Sequence, residues 1–207
     1  MGCRPRLSIL HLLTALTIPL SVAQAQTTRP AATPWGRMNY GPFLSTTLEA
    51  PQPAGNFAYK AIIIPLKADR SVNMAFDTDL LRWSAGWDGG FIDWKCVAFD
   101  GSHETHPSIV GRQVFGNAPT PGWARAGTSD FKDPRERPYG PLPREWGHWK
   151  GLYLHDDDVV LSYTVADTEV LEVPALTPTP ALPRRAGEGA RMVTRVRIVT
   201  RVYWEII

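Results

Sequence analysis

The chain has 207 residues, with 22 Lys and Arg against 20 Asp and Glu, which gives a formal net charge of +2. This balance disfavours nucleic acid as a partner, because binding to it calls for a strongly basic patch. The sequence contains no Cys-x-x-Cys-His, P-loop, G-x-S-x-G, dinucleotide fingerprint or His-Glu-x-x-His, which lowers the odds of the common enzyme classes without excluding a carboxylate-based one.

The first 25 residues are typical of an export signal. Arg4 and Arg6 supply a positive start, "LSILHLLTALTIPLSVA" an apolar core, and residues 23–25 a small-x-small cleavage site. The apolar run is interrupted and short for a bilayer core of about 30 Å. We therefore expect cleavage after Ala25 and an exported, periplasmic or extracellular chain with no retained membrane span. Cys3 precedes the apolar run, which disfavours a lipoprotein.

Cleavage at this point changes the charge and the cysteine content. Loss of Arg4 and Arg6 leaves 20 basic against 20 acidic residues, so the formal charge becomes zero. Cys96 is then the only cysteine, and no intrachain disulfide is possible. Its alternation with Trp94 and Ala98 predicts a buried, inert thiol.

The body of the chain reads as one all-β domain over residues 57–175, after an extended lead-in at 26–56 with little hydrophobic period. Apolar and polar residues alternate in "VNMAF" (72–76), "LRWSAGW" (81–87) and "FIDWKCVAF" (91–99). Such alternation indicates half-buried strands.

Individual residues in these segments predict the orientation of side chains and the connections between strands. Alternation places Trp83 and Trp87 on one face of their strand. Asp88-Gly89-Gly90 then predicts a tight hairpin to the next strand, because an Asp-Gly pair reaches positive φ at low cost. "AYKAIIIPL" (58–66) is also strand-like, with Pro65 moving its end toward a sheet edge.

The second half of the body repeats the pattern. "GLYLHDDDVVLSYTVADTEVLEV" (151–173) predicts three strands with turns at 156–158 and 167–168. Residues 117–148 are rich in Pro, Gly and Trp and have no helical period, so this long loop is either functional or wrapped over the core. The fold class is therefore an antiparallel sandwich or an incomplete barrel of short strands with long loops.

The C-terminal end differs in composition. Residues 176–191, beginning "LTPTPALPRRAGEGA", are either a repeat-derived insertion or an ordinary interdomain linker. Residues 192–207 alternate Val and Ile with Arg and predict a strand that either completes the sheet or stands alone.

Histidines and aspartates provide the candidate polar sites. His103 and His106 have metal-ligand spacing, but Pro107 favours a loop in which both bond the backbone. Four aspartates could supply an acid/base pair or Ca²⁺ ligands, or could serve as turn residues: Asp77, Asp79, Asp88 and Asp93. Residues 156–158, three aspartates, lack the glycine and glutamate of an EF-hand loop and predict a solvated turn.

Tryptophans provide the candidate apolar site, because an indole face matches the C–H face of a sugar ring. Trp83 and Trp87 are predicted to lie in the core. For Trp123, Trp146 and Trp149, in or beside the long loop, core packing and sugar stacking both stay open.

Five stretches carry a resemblance: "AYKAIIIPL", "MAFDTDLLRWSAGWDGGFIDW", "VAFDGSHETHPSIVGRQVFGN", "FKDPRERPYGPLPREWGHWKGLYLH" and "VVLSYTVADTEVLE". Over about residues 35–173 the chain resembles an uncharacterised exported domain family of planctomycete- and verrucomicrobial-type bacteria. That family usually precedes haem-binding c-type cytochrome or propeller-like modules. The resemblance implies an accessory domain of a larger redox or glycan-processing protein, truncated here, and it assigns neither catalytic residues nor a haem. Cys96 stands where the family commonly has Gly.

The leading hypothesis is a non-catalytic exported domain that binds a carbohydrate or a redox or haem partner module through residues 117–150, with no cofactor and no metal. Its candidate ligand-binding residues are Trp123, Trp146, Trp149, Asp88, His103 and His106. The alternative is a polysaccharide-processing enzyme using Asp77, Asp79 or Asp93 with His103 or His106. Convergence of these groups in one pocket would favour the enzyme, and scatter over separate turns would favour the binding module.

Overall fold

The computed structural model describes residues 39–95, 106–156, 158–177 and 191–199. Regular structure in these ranges consists of β-strands, which confirms the predicted all-β class. No helix in this part of the chain has the length and apolar character that crossing a membrane requires. The strands are β1 (Leu44–Ala50), β2 (Asn56–Pro65), β3 (Val72–Asp77), β4 (Arg82–Asp88), β5 (Ile92–Asp93), β6 (Ser108–Ile109), β7 (Arg112–Gly116), β8 (Gly147–His155), β9 (Asp158–Val165), β10 (Thr168–Thr177) and β11 (Arg191–Val199).

The strands form two sheets. The first sheet has the order β5-β6-β1-β2-β3-β4-β7 and curls into a half-barrel. Its pairings are antiparallel except where β1 meets β6. The second sheet has the order β11-β10-β9-β8 and is antiparallel throughout.

Both faces of the first sheet are covered by apolar side chains. Ile62 and Ile64 of β2 join the inter-sheet core, which lies between the two sheets. Ala61 and Ile63 point to the opposite face and join a second core that also includes Trp87. This double burial explains why the sequence of β2 is a continuous apolar run instead of an alternation.

A β-bulge in β4 separates two tryptophans that alternation had placed on one face. Phe76 pairs with Trp83 and Ala75 pairs with Ala85, so Ser84 is one residue extra on β4. Because of the extra residue, the side chains after the bulge point to the opposite face from the one that strict alternation predicts. Trp83 therefore packs on Phe76 in the inter-sheet core, with ring centroids 5.2 Å apart, while Trp87 is fully buried in the second core. The prediction of a single face was wrong.

The predicted hairpin at residues 88–90 is also wrong. β4 pairs with β3 and β7, whereas β5 pairs with β6. Gly89 has a φ of +93°, but neither Asp88 nor Gly90 has a positive φ, and a two-residue Asp-Gly hairpin needs positive φ at both of its turn residues. The chain crosses over instead, with Gly89 N–H donating to the Ser71 carbonyl at 2.9 Å.

Three other expectations need correction. β1 lies inside residues 26–56, where only an extended lead-in was predicted, and it pairs with β2 and β6. β2 is an interior strand, and Pro65 is tolerated because it is the last residue of that strand. The strand predicted at 91–99 ends at Asp93 among the described residues.

The second sheet follows the predicted pattern over residues 151–173. Val159, Leu161 and Tyr163 of β9 are buried on one face, as the alternation indicated. β10 extends to Thr177, and β11 runs antiparallel to it from Arg191. The export signal, Cys96, residues 178–190 and residues 200–207 lie outside the described residues.

Arg82 connects several segments through one buried guanidinium. Its Nε donates to Asp77 Oδ2 at 3.2 Å, and both side chains are about 97–98% buried. Nη1 donates to Asn56 Oδ1 at 2.9 Å and to the Asn117 carbonyl at 2.7 Å, and Nη2 donates to the Phe57 carbonyl at 3.1 Å. Arg82 thereby ties β2, β3 and the chain after β7 to β4.

We expect Arg82→Met to lower the free energy of unfolding by about 3–5 kcal/mol, because it leaves the Asp77 carboxylate buried without its charge partner. Urea denaturation monitored by tryptophan fluorescence measures the change. Lys150→Met is the matched control, since its ion pair with Glu169 is partly exposed and should contribute less than about 1 kcal/mol. Equal effects of the two substitutions would contradict this assignment.

Candidate functional site

The Pro/Gly/Trp-rich segment after β7 wraps over the turn between β3 and β4. Gly122 N–H donates to the Leu80 carbonyl at 2.9 Å, and Gly140 N–H donates to Asp79 Oδ2 at 2.9 Å. Leu80 is buried in a small apolar cluster with side chains from the same segment. These bonds hold an otherwise irregular backbone against the sheet.

Close approach at this turn requires a glycine. A Cβ on Gly122 would collide with the Leu81 carbonyl oxygen and the Arg82 Cα. Leu81 itself has a φ of +51°, which is uncommon for a side chain of its size. The long segment therefore passes directly beside the start of β4 and forms a cavity there with Trp83.

This cavity, which we call the aromatic cavity, has a volume of about 400 Å³. That size is within the usual range for small-ligand sites. Trp83, Trp123 and Phe131 contribute its aromatic walls, and Phe131 is 47% exposed. Its polar lining includes Asn117, Thr120 and Glu172.

A carboxylate held by neutral donors lies in the wall of the aromatic cavity. Glu172 of β10 is only 5% exposed. Trp83 Nε1–H donates to its Oε1 at 2.7 Å, and the Tyr163 hydroxyl donates to its Oε2 at 2.6 Å. Trp123 Nε1–H in turn donates to the Tyr163 hydroxyl at 3.3 Å. Burial, together with the neighbouring Glu172, raises the pKa of Tyr163, so that this hydroxyl stays protonated and can donate.

The three loop tryptophans fall in different environments. Trp123 lines the aromatic cavity and packs against the inter-sheet core. Trp146 is 6% exposed and its indole N–H donates to the Trp123 carbonyl at 3.0 Å, so it helps to hold one lining residue in place. Trp149 lies on β8 against Phe76, with ring centroids 5.8 Å apart, and lines a separate cavity beside Tyr59.

Asp88 and Asp93 lie apart from the aromatic cavity. Arg112 clamps Asp88 with two hydrogen bonds, from Nε at 3.2 Å and from Nη2 at 2.5 Å. These bonds lower the pKa of the Asp88 carboxyl. Asp93 accepts the Lys95 backbone N–H at 2.9 Å, which is ordinary turn chemistry.

Asp77 and Asp79 stabilise the β3–β4 turn. Asp77 accepts the Asp79 N–H at 3.1 Å and pairs with Arg82. Burial raises the pKa of the Asp77 carboxyl, while Arg82 opposes that shift. Asp79 is 4% exposed and contacts Lys60 Nζ at 3.3 Å. Neither carboxylate lines the aromatic cavity.

The structure describes only one histidine of the predicted pair. His103 lies outside the described residues. His106 packs edge-on against Phe57 and Tyr59, with ring centroids 5.2 and 6.3 Å apart. In the part of the chain that the structure describes, no three His, Cys, Asp or Glu side chains are grouped for a metal ion.

Sequence reasoning missed three members of the site. Phe131 lies in a segment without period, and Tyr163 reads as an ordinary inward residue of a strand. Glu172 carried one signal, because it follows the buried Val170 by two residues and so shares its inward face. A glutamate on the inward face of a strand was a reason to look for a polar cavity.

Comparison with known proteins finds a match of part of the chain to a family model. Residues 74–172 match the family model described as Domain of unknown function (DUF6797). No curated protein and no solved structure matches the chain. The matched range contains all the residues that line the aromatic cavity, from Leu81 to Glu172.

We expect Arg112→Met to raise the pKa of Asp88 toward its ordinary value of 3.8. The lowered pKa in the folded protein means that this carboxylate stabilises the fold above pH 3.8, and that the contribution is lost as the pH falls through the folded pKa. The stability difference between wild type and variant should therefore vanish in acid. NMR titration of the Asp88 carboxyl carbon measures the shift.

Asp69 is the internal control for that titration. Hydrogen bonds from Ser71 lower its pKa, and Arg112 is not among the causes. Its titration should be the same in both proteins. An unchanged Asp88 in the variant would mean that Arg112 does not control it.

Proposed function

We propose that this chain is an exported, non-catalytic binding module and that it binds a carbohydrate in the aromatic cavity. The observation that carries the proposal is the combination of three aromatic side chains with polar groups around one small cavity. Aromatic faces pack on the apolar C–H face of a sugar ring. Glu172, Asn117 and Thr120 offer polar groups of the kind that orient a ligand and bind its hydroxyls.

The rigidity of the cavity supports a binding role. Trp83 and Trp123 are both held by hydrogen bonds from their indole N–H groups, directly or through Tyr163, to Glu172. Preformed walls reduce the ordering cost that binding would otherwise incur. Phe131 is the exposed exception, and it therefore offers a wall that can be removed without disturbing this network.

The enzyme alternative has less support. Its carboxylates, Asp77 and Asp79, are buried in structural bonds, Asp93 serves a turn, and His106 packs against aromatic rings. Among the described residues these groups do not share a pocket with exposed tryptophans. Scatter of this kind is the arrangement that favours the binding module.

A glycan array probed with the full chain tests the proposal, and we expect binding to at least one class of glycan. Phe131→Ala should weaken that binding about two- to tenfold, because one aromatic contact is worth about 0.5–1.5 kcal/mol. Tyr153→Ala is the matched control, since Tyr153 is 62% exposed and lies outside the cavity. If no glycan binds, the carbohydrate proposal fails and docking of a redox or haem partner module becomes the favoured function.

Export is tested separately. We expect the protein recovered outside the cytoplasm of a bacterial host to begin at Gln26, because residues 23–25 form the cleavage site. N-terminal sequencing of the exported protein measures this. Ala23→Leu together with Ala25→Leu should block cleavage, and a wild-type product that keeps residues 1–25 would argue for a retained anchor.

A further inference from the structure

The charge of Glu172 lacks a cationic partner among the residues whose side chains the structure describes, which in β11 means Met192 alone. None of the ion pairs there includes this residue. Its two hydrogen-bond donors, the Trp83 indole and the Tyr163 hydroxyl, are neutral. Burying a charged side chain to 5% exposure costs free energy, and an opposite charge beside it lowers that cost.

The nearby cation of the same cavity is already committed. Arg82 lines the aromatic cavity, but its guanidinium donates to Asp77, to Asn56 and to backbone carbonyls that include those of Asn117 and Ala118. Its charge is balanced by Asp77. Glu172 is therefore the member of this cavity whose charge no described side chain compensates.

The remaining walls suit a cation as well. Trp83, Trp123 and Phe131 line the cavity with Glu172, and aromatic faces attract ammonium groups through their quadrupole, most strongly where water is excluded. A carboxylate beside several aromatic side chains is therefore complementary to an ammonium group attached to an apolar ring or chain.

We propose that the ligand of the aromatic cavity carries an ammonium group that pairs with Glu172. In its specific form, this proposal names an amino sugar with a free amine as the ligand. That form rests on the proposed carbohydrate function. The amine accounts for the uncompensated carboxylate, and the sugar ring accounts for the aromatic walls.

Isothermal titration of the full chain with three probes tests this proposal. The probes are a β-linked glucosamine trimer, its N-acetylated counterpart and tetramethylammonium. We expect the free amine to bind about tenfold or more tightly than the acetylated trimer. Glu172→Gln keeps the shape and one of the two acceptor oxygens but removes the charge, so it should abolish that preference.

Glu169→Gln is the matched control. Glu169 lies on the same strand, outside the aromatic cavity, and pairs with Lys150, so its neutralisation should leave the preference intact. Thermal unfolding of each variant verifies that it is folded. The comparison of the three probes on the unmodified chain needs no variant and decides the proposal if Glu172→Gln fails to fold.

The outcomes separate the two proposals. Equal binding of both trimers overturns the ammonium site and leaves the carbohydrate function standing. A second outcome is that tetramethylammonium binds, Glu172→Gln abolishes that binding, and no glycan binds. This result supports the ammonium site and overturns the carbohydrate function. Failure of both cationic probes overturns the ammonium site, whatever the glycan array shows.

Discussion

The buried guanidinium of Arg82 is the constraint on which the rest of the structure depends. It holds the start of β2 through Asn56, the end of β3 through Asp77, and the start of the long segment through Asn117. A buried arginine must satisfy nearly all of its donors, so these segments cannot shift independently. Since Trp83 is the next residue along β4, the same network that secures the fold also sets the position of one wall of the aromatic cavity.

Two kinds of buried charge can be distinguished in this molecule. Those at the β3–β4 turn are balanced inside the protein: Asp77 by Arg82, and Asp79 by Lys60 together with a backbone N–H. Glu172 receives hydrogen bonds but no opposite charge from the side chains that the structure describes. Burial alone therefore does not distinguish Glu172 from the aspartates. What separates Glu172 from the aspartates is the identity of its partners and its place in the wall of a cavity.

The sequence predicted the strands well where alternation is regular, and failed where long-range pairing decides the outcome. β3 and β9 were recognisable because large apolar residues recur at every second position, at Met74 and Phe76 in β3 and at Val159, Leu161 and Tyr163 in β9, and all five are buried. The bulge at Ser84 left no local signal, because Leu, Trp, Ala and Trp alternate without interruption around it. The turn preference of residues 88–90 is equally compatible with a hairpin, in which the next strand pairs with β4, and with a crossover to another strand of the sheet. Glu172 carried only its spacing from Val170 as a signal, because both faces of that strand carry a glutamate and the docking of the sheets decides which one is buried.

The pairing of β10 with β11 has a consequence for how this gene can change. Thr177 lies directly opposite Arg191, so the chain leaves and re-enters the sheet at adjacent points. The entropy of closing a loop grows only with the logarithm of its length, and doubling the length costs about 0.6 kcal/mol. A segment joining such ends can be lengthened, shortened or replaced by foreign coding sequence with little penalty to the ladder on either side. A repetitive DNA element inserted at this position would be translated as a longer connection between the two strands, and the rest of the domain would still fold.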